Sequence, residues 1–210
     1  MDLVQIANYY RTDKVSHGFA YFYQNILSDH AHKITSLLEL GILKGSSLLS
    51  WNKYFKNAMI YGIDKQSIDL QNNNIRTFVA RQQDPIKINE IIEEINDLDI
   101  IIDDASHCVD HQQQSLALLF KHVKSNGYYI IEDLHTSTDF YINSNNYNIN
   151  IDKTNTTLQM IFNYITTNKI VSEYIDADTS KYIESNIQQC YLYHNNHNNR
   201  CSITVILHKR

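Results

Sequence analysis

Two short apolar runs in this chain end in acids, and a histidine follows each. Asp99-Ile100-Ile101-Ile102 leads into Asp103-Asp104-Ala105-Ser106-His107, and Tyr128-Tyr129-Ile130-Ile131 leads into Glu132-Asp133-Leu134-His135. Runs of this length without polar alternation suit strands buried on both faces, as in parallel sheets covered by helices. The acids then stand just past the carboxyl ends of the strands, the rim where open α/β sheets bind ligands. If the two strands are neighbours, about 4.8 Å apart, Asp104, Glu132 and Asp133 repel one another unless they are protonated or bridged by a cation. An all-oxygen set favours Mg2+ or a similarly hard ion; the plainer alternative is a group of solvated loop acids. His107, three residues past Asp104, suits a general base, although taken alone it reads first as a loop histidine capping a helix. His107 and His111 have the i, i+4 spacing of half a zinc site, but no third histidine follows at ligand spacing.

Hydrophobic periodicity supplies the elements that position these groups. Residues 2–10 and 17–29 read as helices, the second with Phe19, Phe22, Tyr23, Ile26 and Leu27 on one face. From Ser36 onward strands and helices alternate. A strand over 36–40 precedes a helix over 46–55, a strand over 59–63 ends in Asp64, and a short strand spans 77–80. Asp84-Pro85 then opens a helix as N-cap and first residue, followed by the Asp99 strand, a helix carrying Leu116, Leu119 and Phe120, and the Tyr128 strand. This alternation implies βαβ units and a parallel sheet, and right-handed crossovers put every carboxyl end on one rim. Beyond it the sequence predicts an Asn-rich mobile loop to residue 150, a helix around 158–165 and a helical piece near 170–186. Two closing antiparallel strands are expected over 189–194 and 202–208, joined by an Asn-rich hairpin.

Glu39-x-Gly41-x3-Gly45 places two of only five glycines where a strand turns into a helix. There backbone can approach a ligand at a helix N-terminus, and the pattern is read as an adenosyl-ligand loop rather than a plain turn. It is not G-x-G-x-x-G, which weighs against a pyrophosphate cradle. Asp64, at the end of the next strand, can accept two ribose hydroxyl hydrogen bonds; otherwise it is a solvated loop acid.

The totals narrow the classes. The 210 residues, 43% hydrophobic and 20% charged, fit a folded domain. A net charge of -5 with scattered Lys and Arg argues against a nucleic-acid partner. Cys108, Cys190 and Cys201 make no disulfide framework and point to a reducing compartment, with free thiols expected even at Cys190 and Cys201. No run has the length of a membrane span, and the first residues lack a secretion signal. A soluble, cytoplasmic protein with a small-molecule partner is the expectation.

Several motifs, in order, resemble the class I S-adenosylmethionine-dependent methyltransferases of the macrocin and mycinamicin sugar O-methyltransferase type. They are Thr12-Asp13-Lys14 with His17-Gly18, Leu38-Glu39-Leu40-Gly41 with Lys44-Gly45-Ser46-Ser47-Leu48 and Trp51, Ile60-Tyr61-Gly62-Ile63-Asp64, Ile102 to His107, and Ile131 to Ser137. The resemblance implies a Rossmann-like α/β fold with a seven-stranded, mostly parallel sheet, an antiparallel last strand and helices on both faces. It implies S-adenosylmethionine at the rim, a divalent metal, Mg2+, on Asp104, Glu132 and Asp133, and His107 as base toward a hydroxyl of a sugar or glycosylated small molecule. On the cofactor side it points to Thr12, Lys14, Glu39, Gly41, Gly45, Ser46, Asp64, Gln83 and Asp84, with Asp103 either there or structural. Three departures stand out. The family's Asp-Gly-Ser-His is Asp104-Ala105-Ser106-His107 here. Arg81 stands where an acid often faces adenine, leaving Gln82, Gln83 or Asp84 for that contact, and Lys124-Ser125-Asn126-Gly127 replaces a Lys-Pro-Gly-Gly turn. Residues 1–210 are read as one methyltransferase domain with 1–33 as an N-terminal helical extension, and a homo-oligomer is expected from the family. The competing readings are a catechol-type or other small-molecule O-methyltransferase, an NAD-linked oxidoreductase, and a cofactor-binding module without catalysis.

Overall fold

The computed structural model of the chain describes residues 1–143, 152–197 and 200–210. Most of the expected Asn-rich loop and the Asn198-Asn199 tip of the closing hairpin lie outside these residues. Eight helices are described: α1 (Leu3–Tyr10), α2 (Phe19–Leu27), α3 (Ser46–Tyr54), α4 (Pro85–Ile95), α5 (Val109–Leu119), α6 (Asp139–Asn143), α7 (Thr157–Thr167) and α8 (Ala177–Asn186). The strands are β1 (Ser36–Leu40), β2 (Met59–Asp64), β3 (Ile75–Val79), β4 (Leu98–Asp103), β5 (Val123–Ile131), β6 (Ile187–His197) and β7 (Arg200–Lys209). Their order in the sheet is β3-β2-β1-β4-β5-β7-β6, with β7 antiparallel to both of its neighbours.

Local chemistry accounts for the helix starts. Asp2 and Gln5 form a reciprocal capping box on α1, and Asp84 accepts from the Lys87 amide at 3.0 Å ahead of Pro85. Thr156 and Asp176 cap α7 and α8 in the same way. The helical piece foreseen over 170–186 is confined to α8, which Asp176 caps by accepting from the Asp178 and Thr179 amides. β5 begins at Val123, five residues earlier than Tyr128; its pairing with β4 shifts between Leu98 and Ile100, so residues 124–127 form an irregularity.

The alternation of side chains along the strands divides the core in two. Leu38, Leu40, Ile101, Tyr129 and Ile131 face α4, α5, α7 and α8. Leu37, Ile60, Ile100, Ile102 and Ile130 face α1, α2 and α3 through Leu3, Phe19, Tyr23, Leu48 and Trp51. Each of these fully buried side chains contributes roughly 1.5–3 kcal/mol of transfer free energy, so residues 1–33 are held by the same core as the sheet. Cys190 lies opposite Leu207 and Cys201 opposite Asn196, and all three cysteines are free thiols. Among the described residues no helix is long and apolar enough to cross a membrane.

Candidate active site

Register decides which acids meet. Glu39 on β1 pairs with Ile102 on β4, and Ile102 with Ile130 on β5. The ladder continues past the strand ends, with the Asp104 amide donating to Leu40 O and the Glu132 amide to Asp103 O, both at 2.9 Å. Since side chains alternate with period two, Asp104 and Glu132 emerge on the same face as Glu39, toward α1–α3. Asp103 points to the opposite face, where Gln82 Nε2 donates to both of its carboxylate oxygens at 2.7 Å. Burial pushes the Asp103 carboxyl up to about 8, a structural acid rather than a solvated one.

Between Glu39, Asp104 and Glu132 lies the ammonium of Lys14. This side chain is only 2% exposed, and it comes from the short turn Asp13–Val15 between α1 and α2. Its Nζ is 3.0 Å from Glu39 Oε1, 2.7 Å from Asp104 Oδ2, and 2.7 and 2.9 Å from the two Glu132 oxygens. Tyr23 from α2 donates its hydroxyl to Glu132 Oε1 at 2.8 Å, and Trp51 Nε1 donates to Glu39 Oε2 at 3.2 Å. Burial alone would drive the lysine neutral, but Asp104, Glu132 and Glu39 together hold its pKa well above the usual range. Burial raises the acids as well, Glu132 furthest, with repulsion from Asp104 adding to it and Lys14 opposing it. Removing the lysine would leave its buried carboxylates uncompensated, a change that typically costs about 3–5 kcal/mol.

Asp104 also belongs to a second group. Ligand atoms of Asp104, His107 and Asp133 all lie within 4.8 Å of one another, as do those of Glu39, Asp104 and Glu132. His107 Nε2 is 3.6 Å from Asp133 Oδ2, while His17 Nδ1 and His135 Nδ1 are 3.7 and 3.5 Å from Asp133 Oδ1. Burial lowers His135 to about 4, so its ring is neutral. Asp133 Oδ1 is buried with no hydrogen-bond partner. His107 and Asp133 both have left-handed backbone, φ 57° and 55°, a conformation that costs an L-residue roughly 1–2 kcal/mol. The donor set fits a hard divalent cation: Glu39, Asp104 and Glu132 share one ammonium, and beside Asp104 the Asp133 Oδ1 has no hydrogen bond.

Asp104, His107 and Asp133 line a cavity of about 680 Å3 at the carboxyl ends of the strands. Of the residues singled out by sequence, Thr12, Gly41, Ser46, Asp64, Gln83, Asp104, His107 and Asp133 line it. Lys14, Glu39, Gly45, Asp84, Asp103 and Glu132 lie outside the lining: Asp84 caps α4, Gly45 caps α3, and the other four are buried. Asp64 takes the Ile42 and Leu43 amides on Oδ2, at 3.0 and 3.2 Å, and the Gln66 amide on Oδ1 at 3.0 Å, clasping the glycine loop to β2. Gln82, beside the expected Gln83, lines the same wall and accepts from the Ser106 amide and hydroxyl at 3.1 and 2.8 Å.

Gly41 makes room for protein rather than only for a ligand. At φ 80°, a Cβ there would lie 2.2 Å from the Asp104 carbonyl oxygen and 2.5 Å from Ala105 Cα. Gly41→Ala is therefore expected to cost about 2–4 kcal/mol, the sum of the left-handed penalty and overpacking. A lower urea midpoint at unchanged slope checks it; an unchanged midpoint contradicts the close approach.

The solved structure of the methyltransferase MycE from the mycinamycin biosynthetic pathway, in complex with Mg, SAH and mycinamycin VI, superposes with a TM-score of 0.78. The match covers 100% of this chain and 54% of that one at 26% identity. The chain has the class I methyltransferase fold. Within that fold its sequence resembles the sugar O-methyltransferases. It is 34% identical over 148 residues to the 8-demethyl-8-(2-methoxy-alpha-L-rhamnosyl)-tetracenomycin-C 3'-O-methyltransferase of Streptomyces olivaceus, and 33% identical over 146 residues to the demethylmacrocin O-methyltransferase of Streptomyces fradiae. Each alignment covers 65% of this chain and 37% of the relative, so the chain matches well under half of the curated relatives' length. No family model matches. The class I fold accounts for the sheet order and for the cavity at the strand ends. Sequence reasoning missed the partners that the N-terminal segment brings to the acids: the Lys14 ion pairs, Tyr23 on Glu132, and His17, whose Nδ1 lies 3.7 Å from Asp133 Oδ1 and 2.8 Å from Ser202 Oγ of β7.

Proposed function

We propose that this chain is an S-adenosylmethionine-dependent, Mg2+-assisted O-methyltransferase acting on a hydroxyl of a sugar or glycosylated small molecule. One observation carries the reading. A single cavity is lined by the glycine loop and Asp64 together with Asp104, His107 and Asp133. The likeness to sugar O-methyltransferases supports the acceptor class. Asp104, Glu132 and Asp133 would hold the ion. When bound, the divalent ion supplies a Lewis acid that lowers the pKa of the acceptor hydroxyl, and the sulfonium cofactor supplies a methyl group that is already electrophilic. His107 takes the hydroxyl proton on its ring, and Asp133, 3.6 Å from Nε2, offers the resulting imidazolium an ion-pair partner. Thr12, Ser46, Gln82 and Gln83 line the wall that orients the cofactor, which leaves alignment as the chain's main task.

Residues 1–210 are read as one catalytic unit in which the 1–33 helical extension takes part, since Lys14 and Tyr23 reach the acids. Cytoplasmic placement and assembly as a homo-oligomer belong to the same proposal; the free thiols support the first, and light scattering tests the second. Titration calorimetry is expected to show stoichiometric binding of S-adenosylhomocysteine. Binding of NADH with no response to S-adenosylhomocysteine would overturn the reading. Incubating nucleotide sugars and glycosides with methyl donor, and scanning for a mass gain of one methyl group, identifies the acceptor.

A further inference from the structure

Lys14 belongs neither to the cavity lining nor to an apolar core, and its partners lie far away in the chain: Asp104 at a separation of 90 residues and Glu132 at 118. A lysine this deeply buried among carboxylates from β1, β4 and β5 acts on all three strand ends together. We propose that Lys14 is a positioning residue, the chain's own resident cation, which holds Asp104 and Glu132 in place for the divalent ion and tunes how tightly that ion binds. The geometry gives Lys14 one oxygen of Asp104 and both of Glu132. Asp104 thereby stays extended from the end of β4, where it also falls within ligand reach of Asp133 and His107. The positive charge works in two directions. It keeps the acids assembled before any divalent ion arrives, and it repels that ion once it does, so the site is preformed and binds its metal reversibly. Glu39 completes the device: it touches Lys14 at 3.0 Å without lining the cavity, and offsets part of the repulsion.

This inference rests on the reading of Asp104 as a ligand to a divalent ion, and the test separates the two. Thermal unfolding of the full chain is followed against MgCl2 concentration for the wild type and Lys14→Met. The variant is expected to melt lower without metal, to gain more from Mg2+ than the wild type does, and to show an apparent Kd lower by roughly tenfold or more, because the ion then neutralises charges that Lys14 had covered. An increment equal to or smaller than the wild-type one overturns the role of Lys14. No Mg2+ response in the wild type overturns the metal reading instead. Because Lys14→Met can fail to fold, Lys14→Met combined with Glu39→Gln is measured alongside it. The pair removes one charge of each sign, and is expected to fold and respond to Mg2+ as the wild type does. A double variant as unstable as the single one shows that Lys14 acts through shape rather than charge, and overturns the inference as well.

Discussion

Replacing Asp104 by alanine is expected to abolish the divalent-ion dependence of methyl transfer while leaving S-adenosylhomocysteine bound. Asp104 is the acid shared by the Asp104–His107–Asp133 and Glu39–Asp104–Glu132 groups, so its loss breaks each of them. Its backbone stays where it is, because the Asp104 amide bonds to Leu40 O whatever the side chain. The glycine loop and Asp64, proposed to face the cofactor, depend on other contacts. A Lewis acid at a developing alkoxide contributes several kcal/mol, so the rate is expected to fall by about 10³-fold. The fold should tolerate the change, since Lys14 retains Glu39 and Glu132 and the crowding of negative charge is eased. Rates with and without chelator decide the matter. Full activity of the wild type in excess chelator removes the metal from the mechanism.

Substitution of His107 is expected to slow transfer by roughly 10²- to 10⁴-fold, the usual contribution of a general base. Asparagine is the better replacement, because His107 holds φ 57° and asparagine tolerates the left-handed region more readily than alanine does. His107→Asn should thus keep the thermal stability that His107→Ala partly loses, while both lose rate alike. Raising pH should recover part of the lost rate in either variant, as solvent hydroxide takes over the proton. An unchanged rate in both returns His107 to a loop role.

The strand-end acids were legible in the sequence because their signal is local: an apolar run with no polar alternation stops abruptly at Asp103-Asp104 and at Glu132-Asp133. The alternating pattern likewise revealed the parallel sheet and its antiparallel close, and the likeness to a known family supplied the strand reversal. What pairs with the acids was not legible. Nothing around Lys14 in the sequence tells that it will be buried, since its burial is tolerated only by carboxylates 25, 90 and 118 residues away. A lysine after a helix reads as a surface residue or a ligand contact until the register is known. The same register separates Asp103 from Asp104, neighbours in sequence that face opposite sides of the sheet. Residues 124–127 read as a turn because of their polarity, and they are polar because they fall in the irregular part of β5.

The position of β7 has a bearing on how the chain comes to life. This late strand lies between β5 and β6, and Thr204 Oγ1 donates to Ile131 O at 2.8 Å beside the contact of Tyr23 with Glu132. Ser202 meets His17 from the same strand. His17 and Tyr23 leave the ribosome long before Ser202 and Thr204, the β7 residues that meet them. Until residues 202–207 emerge, the nascent chain carries the acids beside an open edge of β5, a state that invites chaperone capture. The open edge of β5 is thus covered by a strand made well after the acids it stands beside.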